Sequence, residues 1–134
     1  MSEVIKFNIP GKPMYLQTVR LAIGSLATQA GFDVEKVDDI QVAVEEACKF
    51  IACHGHEGFS ESYDIEAEIV EKGLEITVSD FCSCGLIDKE HAHFCARCPE
   101  EGNMSMFVID TLMDHYETEI REDGSKKIKM VKNK

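Results

Sequence analysis

The sequence predicts a two-layer α/β sandwich (α+β) in which three helices pack against one largely antiparallel, mixed sheet. Three observations lead there. Apolar residues recur at helical spacing over 16–51 and then alternate strictly over 65–78, so the chain switches from helix to strand near its middle. The elements run strand, helix, helix, strand, strand, long loop, helix, strand, strand; helices do not follow every strand, as a doubly wound fold would require. The length of 134 residues, with 44% apolar and 29% charged side chains, suits a single domain spanning 1–134.

Val4 to Ile9 reads as a short strand, broken by Pro10-Gly11-Lys12-Pro13. Leu16, Val19, Ile23, Leu26, Ala27 and Ala30 then mark one face of a helix, and Gly31 stands where a C-terminal cap glycine belongs. Asp33 is an N-cap for the second helix, with Phe32 and Val37 spaced as a hydrophobic staple. Val37, Ile40, Val44, Ala47, Cys48 and Ile51 carry its apolar stripe as far as Gly55. Ile65, Ala67 and Ile69 alternate with Glu66 and Glu68, Glu71-Lys72-Gly73 turns, and Leu74, Ile76 and Val78 alternate again: a β-hairpin with one buried face. The segment 81–102 has no clean period and is rich in Cys, His and acids, so it reads as a long loop. A third helix fits Met104 to Met113 with Asn103 as its cap, and Tyr116 to Arg121 and Lys126 to Val131 form a closing hairpin around Asp123-Gly124.

Composition excludes several functions. No stretch approaches the length of a membrane span, and the opening MSEVIKFNIP lacks a basic-then-apolar leader pattern, so a cytoplasmic protein with reduced thiols is expected. The formal net charge is −11, and the acid excess argues against direct nucleic-acid binding. All of that excess lies before residue 125: Lys126, Lys127, Lys129, Lys132 and Lys134 give the last ten residues five bases and no acid, as a solvated final strand would have.

The helix run Asp39-Ile40-Gln41-Val42-Ala43-Val44-Glu45-Glu46-Ala47-Cys48 and the later run Gly102-Asn103-Met104-Ser105-Met106-Phe107-Val108-Ile109-Asp110-Thr111-Leu112-Met113-Asp114 carry a resemblance, as does Val78-Ser79-Asp80 at a strand end. Together they resemble the GHKL, histidine-kinase-like ATPase domains with the Bergerat fold, specifically the small anti-sigma serine-protein kinases of transcription regulation. That resemblance implies an ATP and Mg²⁺ site containing Glu46, Phe50, Asp80, Gly85, Gly102, Asn103 and Ser105, with Glu46 as catalytic base and Asp80 reading adenine. It further implies a homodimer, a sigma factor or its antagonist as protein partner, and 81–102 as the lid over the nucleotide.

The residues depart from that pattern in three places. Position 50, where the family places an Asn that holds magnesium, is Phe50; it shares a helix face with Glu46 and offers no oxygen. Asp80 is followed by Phe81-Cys82-Ser83-Cys84 before Gly85, and Ser105 replaces a glycine that lets backbone approach phosphate. Losing a metal ligand removes much of the electrostatic stabilisation on which phosphoryl transfer depends. The sequence therefore points to an anti-sigma-factor-like regulator whose kinase activity is weakened or lost, with an active ATP-dependent protein-serine kinase as the alternative.

A third reading comes from the loop cysteines. Cys82-x-Cys84 and Cys95-x-x-Cys98, with His91 and His93 between them, form two close pairs joined by a span, as a zinc or iron–sulfur site requires. The same residues suit a thiol–disulfide switch or inert thiols, and a metal or redox sensor is the corresponding function.

Overall fold

A computed structural model describes residues 3–10, 12–52, 62–81, 98–120 and 126–134; at Asp80, Phe81 and 98–104, among others, it describes the backbone alone. Strand β1 (Glu3–Pro10) leads through a single 3-10 turn (Pro13–Tyr15) into helices α1 (Leu16–Gln29) and α2 (Val34–Ala52). Strands β2 (Ser62–Val70) and β3 (Gly73–Phe81) follow, then α3 (Cys98–Leu112), β4 (His115–Ile120) and β5 (Lys126–Asn133). The sheet order is β1-β2-β3-β5-β4. All four pairings are antiparallel, so among the described strands the mixed sheet expected from sequence is a purely antiparallel one.

The α1–α2 corner forms as its residues dictate. Gly31 adopts φ 99°, Phe32 N–H donates to Ala27 O at 3.2 Å and Gly31 N–H to Thr28 O at 3.1 Å, the paired bonds of a Schellman cap. Two residues later the Asp33 carboxylate accepts the Lys36 N–H at 2.9 Å, a cap contributing about 1 kcal/mol. The two helices approach closely where α1 carries Gly24: a Cβ there would lie 2.2 Å from Gln41 Nε2, which donates to Arg20 O at 3.0 Å. The described part of α2 ends at Ala52; Cys53, His54 and the expected stop at Gly55 lie outside the described residues.

Register builds the core face. Ile5, Ala67, Ile76, Met130 and Tyr116 form one row across all five strands, and Phe7, Ile65, Val78 and Ile128 form the next across four of them. Against these rows pack Val19, Ile23, Ile40, Val44, Ala47, Ile51 and Ile109 from the helices, all essentially inaccessible to solvent. The opposite face carries Lys6, Asp64, Glu66, Lys127, Lys129 and Glu117 and is solvated, as one face of an antiparallel sheet can be. Lys127 and Lys129 fit the solvated final strand expected from sequence. Lys132 does not: it turns to the helix side, only 13% exposed, and its ammonium donates to Leu112 O at the end of α3. There it meets the carbonyls that a helix C-terminus leaves unpaired.

Helix α3 begins at Cys98, six residues before the start expected from the apolar pattern. Residues 98–103 carry no apolar period to mark this start, whereas Pro99 has the fixed φ that suits a first helical turn. Of the segment expected as a loop, 81–102, Phe81 belongs to β3 and 98–102 to α3, and 82–97 lie outside the described residues. The turn at Asp123-Gly124 lies outside the described residues.

Cys48 sits at the centre of this core. Burial, with a smaller contribution from Glu45, pushes its thiol up from 9.0 to about 12. The folded state thus holds a proton that the unfolded chain releases above pH 9, so stability is full below that pH and falls as pH rises toward about 12, by up to about 1.4 kcal/mol per pH unit. Urea titrations of Cys48→Ala across this alkaline range are expected to show a shallower decline than the parent. An unchanged slope would mean that other groups set the alkaline limb.

Candidate functional site

The second and third helices bring together three of the residues singled out from sequence. Glu46 and Phe50 lie one turn apart on α2, because positions i and i+4 share a helix face. Ser105 comes from α3, which packs antiparallel alongside: Ser105 faces Glu46, and at the far end Leu112 meets Lys132, which lies 4.0 Å from Asp39 of α2. Phe50 is half-buried and its ring packs against the core.

The Glu46 carboxylate is engaged at both oxygens. Ser105 Oγ donates to Oε2 at 3.0 Å, and Lys49 Nζ stands 3.3 Å from Oε1. The two contacts differ in strength. Ser105 is only 3% exposed, so its bond to an ionised acceptor is shielded from water and contributes about 1.5–3 kcal/mol. Lys49 is half-exposed, at 52%, and an i,i+3 pair of this kind contributes about 0.3–0.5 kcal/mol.

These residues do not fit a magnesium ion. Mg²⁺ requires near-octahedral oxygen donors, whereas Phe50 supplies none and both Glu46 oxygens face donors of this chain. Among the described residues there is no group of three or more His, Cys, Asp or Glu that could hold a metal.

The remaining predicted nucleotide positions are placed less closely. Asp80 pairs with Tyr63 near the end of β3. Gly102 and Asn103 are the fifth and sixth residues of α3, so Asn103 lies within the helix and is not the cap expected from sequence. Gly85, and Cys82, Cys84, His91, His93 and Cys95 of the expected metal cluster, lie outside the described residues; Cys98 opens α3. A groove of about 590 Å³ lined by Lys6, Asn8, Asp64, Glu66 and Lys127 lies on the opposite, solvated face of the sheet, and no predicted site residue borders it.

Sequence reasoning missed two things at this site. It treated Ser105 as bulk intruding on a backbone passage, whereas the hydroxyl is a donor to Glu46. It also left out Lys49, for which the i,i+3 spacing from Glu46 was an available signal.

Comparison with known proteins agrees with the resemblance read from these helices. The family described as histidine kinase-like ATPase domain matches residues 9–132. Serine-protein kinase RsbW of Listeria innocua is 30% identical over 122 residues, covering 85% of this chain and 78% of that protein. RsbW of Halalkalibacterium halodurans is 30% identical over 139 residues, covering 97% and 83%, and that of Bacillus licheniformis 25% over 140 residues, covering 98% and 86%. With three helices on an antiparallel sheet among the described residues and a match running over nearly its whole length, the chain belongs to the histidine kinase-like ATPase family, in the group of the anti-sigma serine-protein kinases.

Proposed function

We propose that the protein is a cytoplasmic anti-sigma-type regulator that holds a sigma factor or its antagonist on an ATPase scaffold, and that its phosphoryl transfer is weakened or lost. One observation carries this reading. At the positions where the family pattern calls for a free carboxylate and a magnesium ligand, this chain has a carboxylate bonded to Ser105 and Lys49 and an aromatic ring. Such a site offers no side-chain oxygen at position 50 to the cation that neutralises charge in phosphoryl transfer. Homodimerisation, carried over from the resemblance, belongs to the same proposal.

Purified protein mixed with a sigma factor and its antagonist is the direct test. Association with one of them is expected, unchanged by Glu46→Ala, with little or no phosphoserine on the antagonist in Mg²⁺ and ATP. Complete phosphorylation of the antagonist, abolished by Glu46→Ala, would overturn the proposal in favour of an active kinase.

The spacing Cys82-x-Cys84 and Cys95-x-x-Cys98 supports a second reading, a zinc or iron–sulfur centre beside the same scaffold that sets its response to metal or redox state. Metal analysis of protein purified without oxygen checks it: about one equivalent of zinc, or iron with visible absorbance, is expected, and neither would end it.

A further inference from the structure

The geometry points to Ser105 as an internal occupant of the acceptor position at Glu46, an autoinhibitory contact that a partner's seryl or threonyl hydroxyl must displace. This deepens the proposed function, since it rests on the reading of Glu46 as the carboxylate of the phosphoryl-transfer face.

The argument begins with what a general base must do: lie within hydrogen-bond reach, about 2.6–3.2 Å, of the hydroxyl whose proton it accepts. Among the hydrogen bonds described to Glu46, one comes from a hydroxyl, and that hydroxyl belongs to the chain itself, Ser105 Oγ at 3.0 Å. It has the same chemistry as a protein serine offered for phosphorylation. It is also held firmly, because Ser105 is buried at 3% exposure between α2 and α3 while Glu46 remains partly accessible, its side chain 21% exposed.

A glycine at 105 would leave Oε2 without this donor, and an incoming hydroxyl would meet an acceptor not already taken by the chain. With serine there, the incoming group exchanges one charge-assisted bond for another and gains little, while Ser105 loses its partner in a buried setting. Lys49 completes the clasp on the other oxygen and keeps the carboxylate compensated when no partner is present. The same bond fastens α3 to α2 at Ser105, the middle of α3, so admitting a hydroxyl and loosening α3 against α2 are one event.

The test separates this contact from the missing metal ligand. In a Phe50→Asn background, which restores an oxygen beside Glu46, adding Ser105→Ala is expected to raise ADP formation from Mg²⁺ and ATP about tenfold or more. Adding Ser105→Thr, which keeps the hydroxyl on Glu46, is expected to give no such rise. Equal rates for Phe50→Asn alone and with Ser105→Ala overturn the inference. If those equal rates accompany a thermal shift with ATP, the nucleotide-site reading stands without the inference; if no variant binds ATP, both fall.

A second measurement uses the otherwise unaltered chain and does not depend on the folding of Phe50→Asn. Hydrogen exchange of the α3 amides from 105 to 112 is expected to become about tenfold faster in Ser105→Ala and to stay at the parent rate in Ser105→Thr. Equal protection in all three proteins means that the contact fastens nothing, and the inference is rejected.

Discussion

Phe50→Asn is expected to lower the stability of the ligand-free protein and, in the same variant, to create an Mg²⁺-dependent stabilisation by ATP. The first effect follows from packing. Phe50 is half-buried against the core, so removing its ring forfeits part of the about 3–5 kcal/mol that a fully buried aromatic is worth. The second follows from ligand chemistry: an amide oxygen one turn from Glu46 gives a hard cation a donor that the parent lacks. A ligand that binds only the native state at about a hundred times its dissociation constant stabilises by about 2.7 kcal/mol, comparable with what the substitution takes away. Thermal melts in ATP with Mg²⁺ and with EDTA should therefore differ for Phe50→Asn and coincide for the parent. If the parent melts show the difference as well, Phe50 does not govern metal binding.

Ile76→Ala is expected to cost about 2–5 kcal/mol, a large share of the about 5–15 kcal/mol typical of a domain. Ile76 is completely inaccessible, lies between Ala67 on β2 and Met130 on β5, and belongs to the central strand over which α2 packs. Its environment is fixed by two flanking ladders and a helix, which leaves little freedom to collapse around a cavity. The urea midpoint should fall with an unchanged slope, because the surface exposed on unfolding is nearly the same. Ile76→Val, which removes one methylene, should cost about 0.5–1.5 kcal/mol. A loss as small for alanine as for valine would mean that the strand repacks.

What was legible in the sequence was what is local. Gly31 and Asp33 announce the α1–α2 corner because both caps act within five residues of themselves, and alternation announces β2 and β3 because period 2 alone places Ile65 and Ile76 on one face. The start of α3 was hidden because its first turn carries no apolar period, only Pro99-Glu100-Glu101 inside a cysteine-rich stretch. At the site, the shared face of Glu46 and Phe50 is helix arithmetic and needs no structure. The bond from Ser105 spans 59 residues of chain and depends on how α3 docks, which no local pattern encodes. The entry of β5 between β3 and β4 is equally non-local: the sequence shows a final hairpin but not which of its strands faces the rest of the sheet.

That insertion bears on how the molecule is made. Among the described strands β4 hydrogen-bonds to β5 alone, and β5 is what joins it to β3. During synthesis β1, β2, β3 and the helices can assemble as soon as they emerge, yet β4 has no ladder to enter until residues 126–133 follow it. The interval leaves the edge of β3 and both edges of β4 unpaired, the condition in which nascent strands are captured by chaperones or by one another. Glu117 and Glu119 on β4 and Lys127 and Lys129 on β5 then stand opposite each other in register, so the last step is guided by opposite charges and completes the sheet by strand insertion rather than edge growth.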